Sequence, residues 1–219
     1  MRAQGSHVEL AYATELPNDQ RTAQSLLPTL SVVLKQCDWK PRELDLVCTT
    51  IGPGLFTGLR LGITTAKTLA YASGAKLVGV ATLATLAAIA ANVEGNNGRL
   101  WTILDAQRQE LFASCFEEGW QGYENGLPAV QILSIEEWLK QLRPGDLVTG
   151  PPLEKLSGRL PVGVKAVDPQ FWKPQAATLG RLGFAAQRLG QTVDPMQLVP
   201  NYCRKSAAEE KVERTTNFE

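Results

Sequence analysis

The chain has 219 residues, 44% of them hydrophobic, with 22 basic and 22 acidic side chains and so a formal net charge of zero. That composition supports a genuine core in one domain or two small lobes. It argues against a protein that grips nucleic acid by itself, because phosphate neutralisation demands a basic excess.

The segment HVELAYATEL reads as a strand, with Val8, Leu10 and Tyr12 apolar or aromatic and Pro17 ending it. Asn18 or Asp19 is placed to cap the helix that follows. Its apolar positions Leu26, Leu27, Leu30, Val33, Leu34 and Cys37 fall on one helical face, and Pro28 is expected to kink it or to mark a first turn. Residues 44–51, LDLVCTTI, are apolar and β-branched on both faces, the pattern of a covered central strand. Gly52, Pro53 and Gly54 break that strand, and a helix is expected from about residue 57 to 73 with Gly74 as its C-terminal stop. A short strand LVGV and a small-residue helix opened by Thr82 follow. Strand, glycine turn, helix and strand in that order make a β-α-β unit with parallel strands. The character changes at GNNGR, residues 95–99. Beyond it, RLWTILDAQRQELFASCF reads as a hairpin turning at residues 106–109. VQIL, a short helix near 135–142, DLVTG, VKAV and a helix over about 175–189 complete the second half, with a mixed-charge tail RKSAAEEKVER after it. The tail reads as a solvated helix or frayed end.

Chemistry is sparse. His7 is the only histidine, and Cys37, Cys48, Cys115 and Cys203 lie apart with no C-x-x-C pair, so they read as buried reduced thiols. No zinc set and no Ser-His-Asp or Cys-His constellation can be assembled from these residues. The strongest signal is GPGLFTGLRLG. Gly52, Gly54, Thr57 and Gly58 could let a phosphate or nucleotide approach free N–H groups at a helix start, or could simply make a tight turn without a ligand. The motif is neither a P-loop nor G-x-G-x-x-G. The following helix alternates small Gly62, Thr64, Thr65, Ala66, Thr68 and Ala70 with large Leu61, Ile63, Leu69 and Tyr71. One face is expected to pack on the chain's own sheet and one to approach a partner closely. Asp105, Arg108 and Glu110 sit on one loop, either as a ligand-binding set or as a solvated hairpin tip. No stretch approaches the roughly 18 apolar residues of a membrane span and no signal peptide opens the chain, so the cytoplasm is the expected compartment.

Several stretches resemble the TsaB (YeaZ) family. GPGLFTGLRLGITTAKTLA is similar to the family pattern G-P-G-S-F-T-G-x-R-x-G with A-K-x-L-A, LDAQRQELFAS to D-A-R-R-x-E-V-Y, and PNYCRKSAAEEK to P-x-Y-L-R-x-S-x-A-E. QRTAQSLLP and VGVATLATLA also fit, in the family's order, over roughly residues 18–211. The resemblance implies an α/β fold of ASKHA type (actin, sugar kinase, Hsp70): two lobes, each built on a mixed sheet flanked by helices. Residues 1–96 would form the first lobe, 97–195 a smaller second lobe, and 196–219 a tail returning to the first. It also implies a scaffold with no cofactor of its own. Such a subunit pairs with a TsaD-like catalytic partner that carries the metal, is joined by a TsaE-like ATPase, and reaches tRNA only through the complex. The metal-binding histidines of TsaD-like chains have no counterpart in ATLATLAAIA. The implied seam uses the two first-lobe helices, assigning Leu26, Leu30, Val33, Leu61, Thr64, Thr65, Thr68 and Tyr71 to partner contact. A homodimer through the same face is the arrangement expected without TsaD.

Family members begin with a strand like I-L-A-I-D-T-S, whereas MRAQGSHVEL starts near the end of that first hairpin. The expectation is a first hairpin truncated by about 15–20 residues, leaving an open sheet edge. The alternative function is a small ASKHA-type ATP-binding kinase or ATPase using GPG as its phosphate loop. The feature that would distinguish it is an acidic residue near the N-terminal strand placed to hold magnesium. A peptidase reading fails for want of a histidine pair or a nucleophile with a base.

Overall fold

A computed structural model describes residues 1–4, 7–9, 12–17, 19–94, 98–120 and 122–204. Strands β1 (Arg2–Gln4) and β2 (His7–Glu9) pair antiparallel. The expected strand is therefore shorter than its pattern: Leu10 lies outside the described residues and Tyr12 is in no element. Helix α1 (Thr22–Gln36) continues past Pro28, which lies in its interior and not in its first turn. Only Ser25 of α1 is buried, so a carbonyl left unpaired by the proline can be hydrated. Its N-cap is Arg21, with no side-chain hydrogen bond, so Asp19 is not the cap; Asn18 lies outside the described residues.

Strand β3 (Leu46–Gly52) and β4 (Lys76–Ala81) pair in parallel, joined by helix α2 (Phe56–Ser73) in the expected β-α-β order. Gly74 ends α2 in the left-handed conformation, φ 75°, which glycine adopts without steric cost. Helix α3 (Thr82–Glu94) leads toward a five-stranded mixed sheet. That sheet contains β5 (Leu100–Asp105), β6 (Glu110–Phe116), β7 (Gln131–Ser134), β8 (Leu147–Thr149) and β9 (Lys165–Ala166), in the order β7-β6-β5-β8-β9. The hairpin β5–β6 and its neighbour β7 are antiparallel, whereas β8 and β9 join in parallel. Helix α4 (Ile135–Gln141), the single turn α5 (Leu153–Leu156) and helix α6 (Ala176–Arg188) complete the regular structure. The tail after Arg204 and the GNNGR turn at 95–97 lie outside the described residues, as does the side chain of His7.

Three apolar clusters show how these elements are layered. Ile63, Ala66 and Ala70 of α2 meet Leu77 of β4 and Leu198 on one face of the β3–β4 sheet. The other face, through Val78 and Val80, packs on α3 and on Leu182 and Ala186 of α6. The same cluster continues to Leu100 and Phe116 of the large sheet, so α3 and α6 lie between the two sheets. On the far side, Trp101, Ile103 and Val148 pack against Trp138 of α4 and Leu153 of α5. Neighbouring residues thus serve opposite faces, Leu77 one layer and Val78 the next, as strand geometry requires. The result is a helix–sheet–helix–sheet–helix stack.

Two close approaches fix that stack. Gly183 of α6 faces Cys48 of β3 so tightly that a methyl group there would run into the Cys48 sulfur. Arg99 is bound by both oxygens of buried Asp146, Nε to Oδ1 at 3.0 Å and Nη2 to Oδ2 at 2.7 Å. Asp146 also accepts from Trp101 Nε1 and from the Arg143 amide, holding the starts of β5 and β8 together.

Candidate partner interface

Helix α2 divides cleanly around its circumference. Leu59, Ile63, Ala66 and Ala70 are buried on the sheet, while Thr57, Thr64, Thr68 and Tyr71 form a continuous exposed stripe. Tyr71 is 75% exposed, a large aromatic surface in water. Leu61 and Thr65 lie half-buried at the margin of that stripe. Ala66, a small residue of the kind expected to face a partner, instead faces the sheet at 6% exposure. On α1, Leu26, Leu30 and Val33 are half-buried and Leu27 and Val32 exposed, an apolar face with little of this chain upon it.

The turn before α2 is built by close packing. Gly52 has φ 121°, and a Cβ there would come within 2.6 Å of the Asn201 carbonyl. The Asn201 amide in turn donates to the Ile51 carbonyl at 2.7 Å. Gly58, by contrast, meets nothing where its Cβ would be, so packing does not require glycine there. Gly54 and Thr57 are exposed, and the N-cap Leu55 supplies no side-chain hydrogen bond. A cavity of about 270 Å³ lies between this turn, the tip of the β5–β6 hairpin and residues 201–204.

At that tip Asp105 turns inward on its own loop, Oδ1 accepting from the Gln107 amide at 2.7 Å and Oδ2 from its side chain at 3.2 Å. Gln107, Arg108 and Gln109 all have positive φ. Glu110 pairs with Arg204, which also donates to the Ala106 carbonyl. Asp105 and Glu110 are thus both engaged within the fold, in agreement with a structured hairpin tip.

Residues 193–204 form a strap from the end of the chain's described part back over the first sheet. The Val193 amide donates to the Leu77 carbonyl. Lys67 Nζ donates to the carbonyls of Met196 and Leu198 at 3.3 and 3.0 Å. Arg60 Nε donates to Tyr202 Oη at 3.0 Å, and Tyr202 stacks on Phe56 with centroids 4.8 Å apart. Sequence reasoning missed Arg60, Lys67 and Tyr202. Periodicity cannot report a contact spanning well over a hundred residues of chain.

A second cavity, about 720 Å³, lies beside the first half of β3, between Trp39, Leu44 and Cys48 on one side and Ala176, Gly180 and Phe184 of α6 on the other. Among the described residues β4 is the only strand paired with β3. The four cysteines are free thiols but only half-buried, not buried as expected, since each keeps part of its residue surface at an edge of the packing. Desolvation still raises the Cys48 thiol to about 12 and Cys115 to about 11, leaving both poor nucleophiles at neutral pH. Among the described residues no three His, Cys, Asp or Glu side chains are grouped to hold a metal. No described helix is long and apolar enough to cross a membrane.

Comparison with known proteins places this geometry. Residues 18–148 match the model of the family "TsaD: tRNA N6-adenosine threonylcarbamoyltransferase". The tRNA threonylcarbamoyladenosine biosynthesis protein TsaB of Bacillus subtilis is 30% identical over 84% of this chain and 80% of its own length. The Escherichia coli protein of the same name is 27% identical over 86% and 83%. The solved structure of YeaZ from Pseudomonas aeruginosa superposes with a TM-score of 0.66 at 26% identity, covering 82% of this chain and 83% of that one. These likenesses agree with the layered α/β architecture of an ASKHA-type fold, and the chain belongs to the TsaB (YeaZ) family of tRNA threonylcarbamoyladenosine biosynthesis proteins.

Proposed function

We propose that this chain is the dimerisation and scaffold subunit of a tRNA threonylcarbamoyladenosine-forming complex, and that it activates a TsaD-like threonylcarbamoyltransferase without catalysing a reaction itself. The observation that carries this reading is the exposed stripe Thr57, Thr64, Thr68 and Tyr71 on α2; on α1, Leu26, Leu30 and Val33 are likewise only half-covered. Short side chains let a second helix approach closely, and the partly exposed leucines and valine supply apolar area to bury. Leu61 and Thr65 line the margin of the same seam. A partner of the TsaD type has the same kind of domain, as the family match over residues 18–148 indicates.

The rest of the reading rests on the family resemblance. A TsaE-like ATPase joins the pair, tRNA is reached through the complex, and all of it works in the cytoplasm. Residues 1–96 and 97–195 act as two lobes, with 196–219 returning to the first. The turn at Gly52, Gly54, Thr57 and Gly58 offers its uncapped amides to an anion at the partner boundary. Co-purification from the source cell, identified by mass spectrometry, should recover a TsaD-like protein. Thr64→Trp, which puts a large ring on the stripe without touching the core, should abolish that recovery. Retention of the partner by a folded Thr64→Trp protein rejects the seam.

A further inference from the structure

On a helix of 3.6 residues per turn, Phe56, Arg60 and Lys67 share one line along α2, and Thr57, Thr64 and Tyr71 occupy the adjoining line. The strap lies on the first line and the proposed seam on the second. Arg60 is held in place at this boundary. Its guanidinium carbon lies 4.2 Å from the centre of the Phe56 ring, and its Nε is committed to Tyr202. Its two terminal nitrogens find no acceptor among the described residues. Lys67 donates to two carbonyls, which leaves one of its three N–H bonds unused. Neither cation meets a carboxylate among the described residues.

The surroundings make this unusual. Helices α1 and α2, 15 and 18 residues long, carry Lys35, Arg60 and Lys67 and no acidic side chain. The whole chain is electrically balanced, whereas these two helices carry cations and no acid. Tethering a strap needs only the Nε–H of Arg60. It does not need a planar fork left open, which is the geometry that takes a carboxylate through two parallel hydrogen bonds. A second copy of the chain would bring the same two cations, which meet no carboxylate among the described residues, and no acid from these helices.

We propose that Arg60, supported by Lys67, receives carboxylates of a different protein chain seated on the α2 stripe. That partner presents acidic groups about 10 Å apart, the rise of seven helical residues. Charge along the strap edge then selects the partner, while the small residues only permit close approach. This rests on the seam proposed above. Met196 and Val199, 74% and 68% exposed on the strap that Lys67 holds, extend the same ridge with apolar surface.

The test is titration calorimetry of the full chain against the TsaD-like protein of the same cell, without RNA, at about 50 and 300 mM salt, where the screening length falls from about 14 to about 6 Å. Wild-type affinity is expected to fall with salt. Arg60→Gln should weaken binding about tenfold at low salt and flatten the salt dependence, with Arg60→Lys intermediate because it lacks the fork. Tyr202→Phe, which removes the tether but keeps ring and charge, should retain the wild-type salt dependence and so guards against a folding artefact. If Thr64→Trp abolishes binding but Arg60→Gln leaves it unchanged, the seam stands and the charge proposal is overturned. A loss with Arg60→Gln that is equal at both salts reduces Arg60 to a tether and also overturns it. If neither variant affects binding, the seam falls and this inference with it. If Arg60→Gln matters only after tRNA is added, the ligand is a phosphate and the carboxylate assignment is wrong.

Discussion

Gly183 shows how one hydrogen can set the spacing of two elements. Alanine would improve α6 as a helix by close to 1 kcal/mol, yet its methyl would collide with the sulfur of Cys48 on β3. Overpacking of this sort costs about 1–3 kcal/mol and should outweigh the helical gain. Gly183→Ala is therefore expected to lower stability in urea, and Cys48→Ala in the same chain to recover much of the loss, because the two changes act at one contact. Simple addition of the two effects would show that the contact does not limit the packing. Asp146 is the other residue with a large expected effect. Asp146→Ala leaves the Arg99 guanidinium, the Trp101 indole and the Arg143 amide without their acceptor. A loss of about 3 kcal/mol is expected, the usual cost of breaking a largely buried pair from one side. A denaturation midpoint near that of wild type would contradict it.

Among the elements, α4 has the most complete local instructions. Ser134 and Glu137 cap each other: Ser134 Oγ accepts from the Glu137 amide, and Glu137 Oε2 accepts from the Ser134 amide at 2.9 Å. Hydrogen bonds from the Ser134 hydroxyl and amide hold the Glu137 carboxyl below its ordinary 4.5. A depressed folded value means that this contribution is fully present above pH 4.5 and disappears as the pH falls through the lower, folded value. The stability difference between wild type and Glu137→Gln should therefore shrink on acidification past 4.5 in chemical denaturation across pH. A difference independent of pH would dismiss the capping box as its source. Helix α1 lacks such a cap and contains a proline, and the structure keeps it continuous all the same. Pro28 therefore sits in the helix interior and not in a first turn, and the missing donor is tolerable where the helix is largely exposed.

At the scale of the molecule, α2 belongs to two surfaces at once. Composition could announce a helix rich in small residues but not which small residue faces which way. Ala66 and Thr64, two positions apart, have opposite fates: the first is in the core with Ile63 and Leu77, the second in water. Ala66→Trp should thus fail to give folded protein by circular dichroism, whereas Thr64→Trp should fold and lose its partner. A well-folded Ala66→Trp protein would show the sheet contact to be looser than drawn. The strap exposes the same limit of sequence reading. Lys67, Arg60 and Tyr202 lie in recognisable motifs, but their meeting depends on a return path that folding alone creates.

The sequence by itself determined most of the elements from α1 to α6, the β-α-β unit around the glycine turn, the β5–β6 hairpin and membership of the TsaB family, because each rests on local periodicity or on contiguous motifs. It also showed too few histidines and clustered cysteines for a zinc site. Only the tertiary structure decided which face of α2 is covered, where the strap lies and which of its cations meet no carboxylate among the described residues. Those outcomes depend on burial and pairing between segments far apart in the chain, and short-range pattern contains no record of them.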